Sequence, residues 1–182
     1  MTTNLRPADW NIRGHSNRIF AVKFIDDSTL LSGGWDSVLH LWDVRSGKSE
    51  KAVFGVHISG DAIDFHSDQI LLGCNSAKQQ IQLWDFKKFE MRTSIDWLSN
   101  DDHRKPASVY TVSFANYDKN VILAGACGLD EARVFHNATG QPALSTVVGG
   151  LKGGCFSITS AHQANLFSLS TGKGGLFTYC EC

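Results

Sequence analysis

The sequence predicts an all-β protein built from a repeated unit of four short strands. Apolar runs with a helical period are absent from its 182 residues, and 17 glycines against three prolines indicate many tight turns. The motif Leu41-Trp42-Asp43 recurs 42 residues later as Leu83-Trp84-Asp85. A period of 40 to 45 residues with four strands per unit is typical of β-propeller blades.

Composition narrows the class of protein further. The formal net charge of -1 provides no long-range attraction for nucleic acid or for an anionic membrane. No stretch approaches 18 consecutive apolar residues, and the N-terminus lacks the apolar segment of a secretion signal. The five cysteines are odd in number and scattered, which favours reduced thiols. We therefore expect an intracellular protein, cytoplasmic or nuclear, that binds neither nucleic acid nor membranes.

The first unit divides into four strands separated by turns. Alternation of apolar and polar residues predicts the first strand, with Phe20, Val22 and Phe24 on one face. The pair Gly33-Gly34 is interpreted as a turn. The predicted strands are Ile19 to Ile25, Leu30 to Ser32, Val38 to Val44 and Lys51 to Phe54.

The later units repeat this order with weaker motifs. Val134-Phe135-His136 is an eroded copy of the third strand, and Tyr179 stands in the tryptophan place of the last unit. A polar insertion from Ser99 to Ser108 explains the longer third interval and is expected to be a surface loop. The predicted blades are 14–55, 56–98, 109–150 and 151–182, in a single domain, with 8–13 as a spare outer strand.

The termini leave the closure of the propeller open. The last unit stops at its third strand, and the spare strand at 8–13 has the phase needed to supply a fourth. Three arrangements fit: a closed four-bladed ring, an open arc that a second copy or a partner chain completes, and a piece of a longer propeller. An incomplete or open propeller is favoured over a closed ring of four.

The residues Gly14-His15 and Trp42-Asp43 resemble the WD-repeat β-propeller family, and the resemblance extends over about four repeats, from residue 10 to 182. The first two repeats match well and the last two are degenerate. The family implies a hydrogen-bonded tetrad in each complete blade. That resemblance assigns the tetrad of the first blade to His15, Ser32, Asp36 and Trp42.

The chemistry of such a tetrad is coherent. An indole N–H only donates, a serine hydroxyl donates and accepts, and a carboxylate only accepts. An imidazole can therefore lie between the hydroxyl and the carboxylate and form a hydrogen bond to each. In the second repeat Trp84 is kept and His57 is a candidate, but Gly73 is expected at the Ser32 position. The complete tetrad is therefore predicted for the first blade alone.

Several surface residues are candidates for binding a partner protein. Trp35 precedes the tetrad aspartate in a predicted turn, and tryptophan is enriched in interface hot spots. In WD-repeat proteins this position often contacts partners, and Arg18 lies beside it. His103 and Arg104 lie in the polar insertion, and such insertions often carry function.

A second resemblance concerns Leu30 to Arg45. It is similar to the WDxR box of adaptors that bring substrates to a cullin-type ubiquitin ligase, and it implies a docking surface with Asp36, Trp42, Asp43 and Arg45. Much of this pattern coincides with the ordinary blade consensus. Arg45 could equally pair with Asp43.

Motifs for catalysis, cofactors or metals are not found. Cys180 and Cys182 share a strand face but lack companion ligands, so no metal site is predicted. Nucleophile elbows and phosphate-binding loops are absent. Propellers also host enzymes, but no cluster of channel-lining acids or histidines can be assembled here. The sequence thus predicts a non-catalytic protein–protein interaction scaffold, with a ligase substrate receptor as the alternative.

Overall fold

The computed structural model describes residues 14–97, 107–137, 140 and 142–180, and within these ranges the regular structure is entirely β. The strands in chain order are β1 (Ile19–Phe24), β2 (Thr29–Gly34), β3 (Val38–Asp43), β4 (Lys48–Phe54), β5 (Ile63–His66), β6 (Gln69–Gly73), β7 (Ile81–Asp85), β8 (Glu90–Ile95), β9 (Ser108–Phe114), β10 (Val121–Cys127), β11 (Glu131–His136), β12 (Ala143–Val148), β13 (Cys155–Ser160), β14 (Leu166–Thr171) and β15 (Leu176–Cys180). None of the described residues lies in a helix long and apolar enough to span a membrane.

The strands form four separate antiparallel sheets, each from consecutive strands. The first sheet is β1 to β4, the second β5 to β8, the third β9 to β12 and the fourth β13 to β15. The predicted all-β fold of antiparallel blades is confirmed. The fourth sheet has three strands in the described part of the chain, as expected from a last unit that stops at its third strand. The predicted spare strand at 8–13 lies outside the described residues.

The predicted Gly33-Gly34 turn is wrong. Both glycines are buried and lie in β2, where Gly33 pairs with Leu39 and Gly34 with Ile19. The turn instead follows at 35–37, with Ser37 at a φ of 60°. A Cβ on Gly33 would lie 2.5 Å from the Ile58 Cδ1 atom of the next blade, so glycine at this strand position leaves room for the Ile58 side chain.

Consecutive sheets stack through their first two strands. Strand β5 packs on β1 and β2, β9 on β5 and β6, and β13 on β9 and β10. One apolar core joins the first three sheets, and a second, smaller one joins the third to the fourth. Within the described residues, no packing of that extent joins the fourth sheet to the first. The four described sheets thus form an open run of blades, as the sequence favoured.

Asp64 in β5 ties three sheets together. Its carboxylate lies 2.8 Å from the Lys23 ammonium of the first sheet. It also accepts a hydrogen bond from the backbone N–H of Phe114 in the third sheet, at 2.8 Å. Since Asp64 is buried, these partners replace the water that its charge would otherwise require.

Candidate interaction site on the first blade

The four residues assigned to a tetrad form one hydrogen-bonded chain in the first sheet. The Trp42 indole nitrogen donates to the Ser32 hydroxyl at 2.7 Å. That hydroxyl lies 2.7 Å from His15 Nε2, and His15 Nδ1 lies 2.8 Å from Asp36 Oδ2. The cross-strand pairs bring Ser32 and Trp42 onto the same face of the sheet, because residues two apart on a strand share a face.

The donor and acceptor inventory fixes the direction of the two outer bonds in this chain. The indole can only donate, so the Ser32 hydroxyl accepts from Trp42, and its own proton can be donated to His15 Nε2. His15 Nδ1 then carries the ring proton and donates it to the Asp36 carboxylate, which can only accept. Each of the four groups has a hydrogen-bond partner, and a fully connected network of this kind specifies one arrangement of its strands.

His40 packs against this hydrogen-bonded chain, which the sequence did not reveal. Its ring packs edge-on against His15 with centroids 4.4 Å apart, and its Nδ1 lies 2.8 Å from the Ser49 hydroxyl. Burial and the neighbouring His15 lower the pKa of His40 to about 4, so the ring is neutral at physiological pH. The strand pair Ser32 and His40 could have suggested this position once the register was known.

Asp36 fixes the turn between β2 and β3. Its carboxylate accepts hydrogen bonds from the backbone N–H groups of Ser16 at 2.9 Å and Val38 at 3.2 Å, besides that from His15. Burial alone would raise the pKa of the Asp36 carboxyl, but these hydrogen bonds together lower it below 3.8. The carboxylate is therefore charged at neutral pH and holds the turn in one conformation.

Trp35 is presented from this turn with its side chain on the surface. It is 41% exposed, its ring lies 5.0 Å from that of Phe20, and the Arg18 guanidinium lies over it at 5.3 Å. The Trp35 backbone N–H donates to the Arg18 carbonyl at 2.9 Å. Arg18, Phe20 and Trp35 thus form an aromatic and cationic group, which we call the rim cluster.

Asp43 and Arg45 lie at the other end of β3 from Asp36. The Arg45 Nε atom is 3.4 Å from Asp43 Oδ1, and Asp43 also accepts the Arg45 backbone N–H at 2.9 Å. The Arg45 side chain is 80% exposed. The structure therefore does not bring Asp36 and Arg45 together on one edge of the sheet. His103 and Arg104 lie outside the described residues.

The second blade replaces the tetrad with different bonds. Trp84 donates its indole N–H to Gln82 Oε1 at 2.9 Å, and His57 Nδ1 lies 3.0 Å from the Ser37 hydroxyl of the first blade. The expectation that Gly73 occupies the Ser32 position is wrong. Strand register places Leu72 there, because Leu72 pairs with Gln82 as Ser32 pairs with His40.

A buried ion pair in the third blade was also missed by sequence reasoning. The Glu131 carboxylate lies 2.9 Å from the Arg133 guanidinium, which stacks over the Trp97 ring at 4.8 Å. Arg133 also donates to the Trp97 carbonyl, and the Trp97 indole donates to Glu131 at 3.3 Å. These residues lie up to 36 positions apart in the chain, so no local pattern reveals them.

Among the described residues, His15, Asp36 and His40 have potential metal-ligand atoms within 4.8 Å of one another. Both ring nitrogens of His15 and the Nδ1 atom of His40 are already hydrogen-bonded. We therefore assign these three side chains to the structural network of the blade.

The separate stacked sheets form a run of β-propeller blades, and the tetrad of the first blade is similar to that of WD-type blades. No family model matches the sequence. The chain is 26% identical over 115 residues to the ribosome biogenesis protein WDR12 homolog of Nematostella vectensis. The matched region covers 59% of this chain and 27% of that protein. It is 26% identical over 130 residues to meiotic fizzy-related protein 1 of Schizosaccharomyces pombe, over 70% of this chain and 28% of that protein.

Solved structures show the same fold. A chain in the mitotic checkpoint complex matches with a TM-score of 0.75 and 15% identity, over 92% of this chain and 50% of that one. The computationally designed Ika4 protein matches with a TM-score of 0.70 and 17% identity, over 93% of this chain and 95% of that one. The resemblance to WD-repeat β-propellers is thereby confirmed. The chain spans about a quarter of the length of the curated relatives it matches.

Proposed function

We propose that this chain is a non-catalytic protein–protein interaction scaffold and that the rim cluster is its main contact for a partner. The observation that carries the proposal is an exposed tryptophan on a rigid turn. Asp36 fixes the backbone beside Trp35, and Arg18 and Phe20 hold its ring. A side chain that is ordered before binding loses less conformational entropy in a complex. This favours a large contribution of Trp35 to the binding free energy, as is typical of a hot spot.

The chemistry of the rim cluster indicates the kind of partner. An aromatic face with one guanidinium suits a protein surface that offers an apolar pocket beside a carboxylate. The net charge of -1 fits a protein partner better than nucleic acid or an anionic membrane. The solved chain of the mitotic checkpoint complex has this fold and is part of an assembly. We place the protein inside the cell, in the cytoplasm or nucleus.

The test compares proteins captured from cell extract by the wild-type chain, by Trp35→Ala and by a control variant. Met91→Ala is the matched control, because Met91 is 37% exposed on the second sheet. We expect Trp35→Ala to lose at least one bound protein about tenfold or more while Met91→Ala keeps it. Both variants should melt at the wild-type temperature. Unchanged capture by Trp35→Ala, or its unfolding, would contradict the proposal.

The ligase substrate receptor is the alternative form of this scaffold function. It depends on Arg45, whose exposed guanidinium is available to a partner. If the alternative holds, the linker subunit of a cullin-type ligase binds the wild-type chain, and Arg45→Ala abolishes binding without a change in melting temperature. Binding that survives Arg45→Ala would exclude it.

A further inference from the structure

The first strand of three sheets contains the same irregularity. The register leaves Phe20 in β1, Tyr110 in β9 and Phe156 in β13 without a partner on the second strand. Such an unpaired residue is a β-bulge, and a bulge redirects its side chain out of the regular alternation of the strand. All three bulge residues are aromatic. Since each lies beside the end of the second strand, the three aromatic residues are at the same end of their sheets.

The bulge of the first sheet belongs to the rim cluster, in which the Phe20 ring packs on Trp35. The backbone N–H of Trp35 donates to the carbonyl of Arg18, the residue before β1. In the fourth sheet the backbone N–H of Gly172 donates to the carbonyl of Gly154, the residue before β13, at 3.4 Å. Gly172 therefore stands at the position of Trp35, and the fourth sheet has no side chain there to cover its bulge residue.

Phe156 packs instead across the boundary between two sheets. Its ring centroid lies 5.1 Å from that of Tyr110 in the third sheet, with an angle of 68° between the ring planes. A Cβ on Gly172 would lie 2.7 Å from Phe156 Cε2, so this glycine lets the ring lie against the backbone. Phe156 is 44% exposed and Tyr110 is half-buried. The two rings thus form an exposed aromatic surface that joins the third and fourth sheets.

Two lysines lie in the segments that flank this aromatic surface. Lys152 is in the loop before β13, and Lys173 is in the turn after β14. Loop and turn are in contact, because a Cβ on Gly153 would lie 2.8 Å from Lys173 Cγ. Both lysines are exposed, and within the described ranges neither forms an ion pair. The Asp130 carboxylate accepts the Gly153 backbone N–H at 3.2 Å, so two lysines stand here against one carboxylate.

The chemistry of these side chains indicates the ligand. An exposed aromatic pair gains free energy by packing on an apolar side chain. Exposed lysines add little affinity, but they select ligands of negative charge and speed their association. The whole chain carries a net charge of -1, so a local excess of positive charge is not a general property of its surface. A ligand that complements both features carries carboxylates beside an aromatic or large aliphatic side chain.

We propose that Tyr110, Phe156, Lys152 and Lys173 form a second binding site, which we call the bulge cluster, and that its ligand is an acidic segment of a partner protein. The segment presents an aromatic or large aliphatic side chain to the two rings and carboxylates to the lysine ammonium groups. This inference rests on the proposed scaffold function and names a second contact for it, with the chemistry of the partner segment. The residues of the rim cluster take no part in the bulge cluster.

The first experiment uses a displayed library of random dodecapeptides as the probe. Peptides are selected on the full wild-type chain and depleted on the variant Phe156→Ala/Lys173→Ala. We expect the enriched sequences to place Asp or Glu on both sides of Phe, Tyr, Trp or Leu. Absence of enrichment, or enriched sequences that are neutral or basic, would overturn the proposal.

Fluorescence anisotropy then measures the affinity of one enriched peptide for single variants. Phe156→Ala should weaken binding about tenfold or more, and Lys173→Ala about threefold. Binding should also weaken as the salt concentration rises, because exposed charges are screened. Phe24→Ala and Lys48→Ala are the matched controls, since both side chains are exposed outside this site, and they should leave the affinity unchanged. Equal effects of Phe156→Ala and Phe24→Ala would contradict the proposed site.

Folding and the rim cluster are tested separately. Circular dichroism checks that each variant melts as the wild type does. If Phe156→Ala unfolds, the charge reversal Lys173→Glu replaces it and should weaken binding about tenfold. An enriched peptide that binds Lys173→Glu as tightly as the wild type would refute the role of the charge. Trp35→Ala should bind the peptide as the wild type does, so a failure of the rim cluster as a partner site would leave this result unchanged.

Discussion

The Ser32 hydroxyl oxygen lies 2.7 Å from the indole nitrogen of Trp42, and among the described residues this oxygen joins the indole to His15 and Asp36 in the hydrogen-bonded chain of the first blade. The hydroxyl is buried between β1 and β3. It serves as acceptor for one neighbour and donor for the next. The integrity of the network, and with it the turn that carries Trp35, therefore depends on one oxygen atom.

Replacing Ser32 by alanine removes that atom. The Trp42 indole and the His15 ring each lose a partner in a buried place, and we expect the free energy of unfolding to fall by about 2–3 kcal/mol. Ser32→Thr keeps the hydroxyl and should cost less than about 1 kcal/mol. Urea denaturation measures both, with Ser46→Ala on the exposed β3–β4 turn as control. A loss for Ser32→Ala no larger than that for Ser46→Ala would refute the role of the hydroxyl.

The pKa of His40 predicts how stability depends on pH. The folded chain holds this pKa at about 4, below the ordinary value of 6.5, so the unfolded chain takes up the proton first. The stability associated with a neutral His40 is complete above pH 6.5 and is lost as the pH falls from 6.5 toward 4, by at most about 1.4 kcal/mol per pH unit. Denaturation at several pH values should show a shallower slope for His40→Gln than for the wild type. The exposed-site variant His66→Gln is the control, and equal slopes for the wild type and His40→Gln would rule this out.

Asp64 and Asp68 provide a matched comparison between a buried and a surface carboxylate. Asp64 is buried and bonded to neighbouring sheets on both sides, whereas Asp68 forms an exposed ion pair with Lys87 at 2.7 Å. We expect Asp64→Ala to cost about 3 kcal/mol, because it leaves the Phe114 N–H unsatisfied. Asp68→Ala should cost less than about 1 kcal/mol. Thermal and urea denaturation check both, and similar costs would disprove the bridging role of Asp64.

The close stacking of blades is tested at Gly73. An added methyl group would meet Val109 at 2.7 Å and Val112 at 2.9 Å, and these β-branched side chains cannot easily move aside. We expect Gly73→Ala to lower the free energy of unfolding by about 2 kcal/mol. Gly149→Ala is the control, since its Cβ would have no neighbour within 4 Å. A neutral effect of Gly73→Ala would mean that the sheets are free to move apart.

The sequence was most informative where a signal lies within one blade. The repeat at Trp42 and Trp84 identified the blades, and alternation in the first strand predicted β1 to within one residue of its end. The four tetrad side chains lie together as the resemblance implied, because strand register and turn geometry are local. In the second blade the sequence assigned Gly73 to the position of Ser32, but the strand register places Leu72 there. The error of one residue matters because neighbouring residues of a strand lie on opposite faces of the sheet.

Contacts between blades could not be predicted in this way. Glycine is typical of turns, so the sequence predicts a turn at Gly33. Its place in β2 is explained by the approach of Ile58 from the next sheet. The bonds of Asp64 to Lys23 and Phe114 span 41 and 50 residues, and no motif links these positions. Such features depend on how the sheets stack, which a single sequence does not encode in any short pattern.

The division of the core bears on the order in which the molecule opens. The first three sheets share one apolar core and are joined by the Asp64 carboxylate, so they should unfold as a single cooperative unit. The three-stranded fourth sheet rests on the smaller second core, and its last strand is largely exposed, with Leu176 at 76%. Its amide protons should therefore exchange with solvent before those of the other sheets. The fourth sheet would then be the part of the molecule that separates first, while the shared core keeps the first three sheets together.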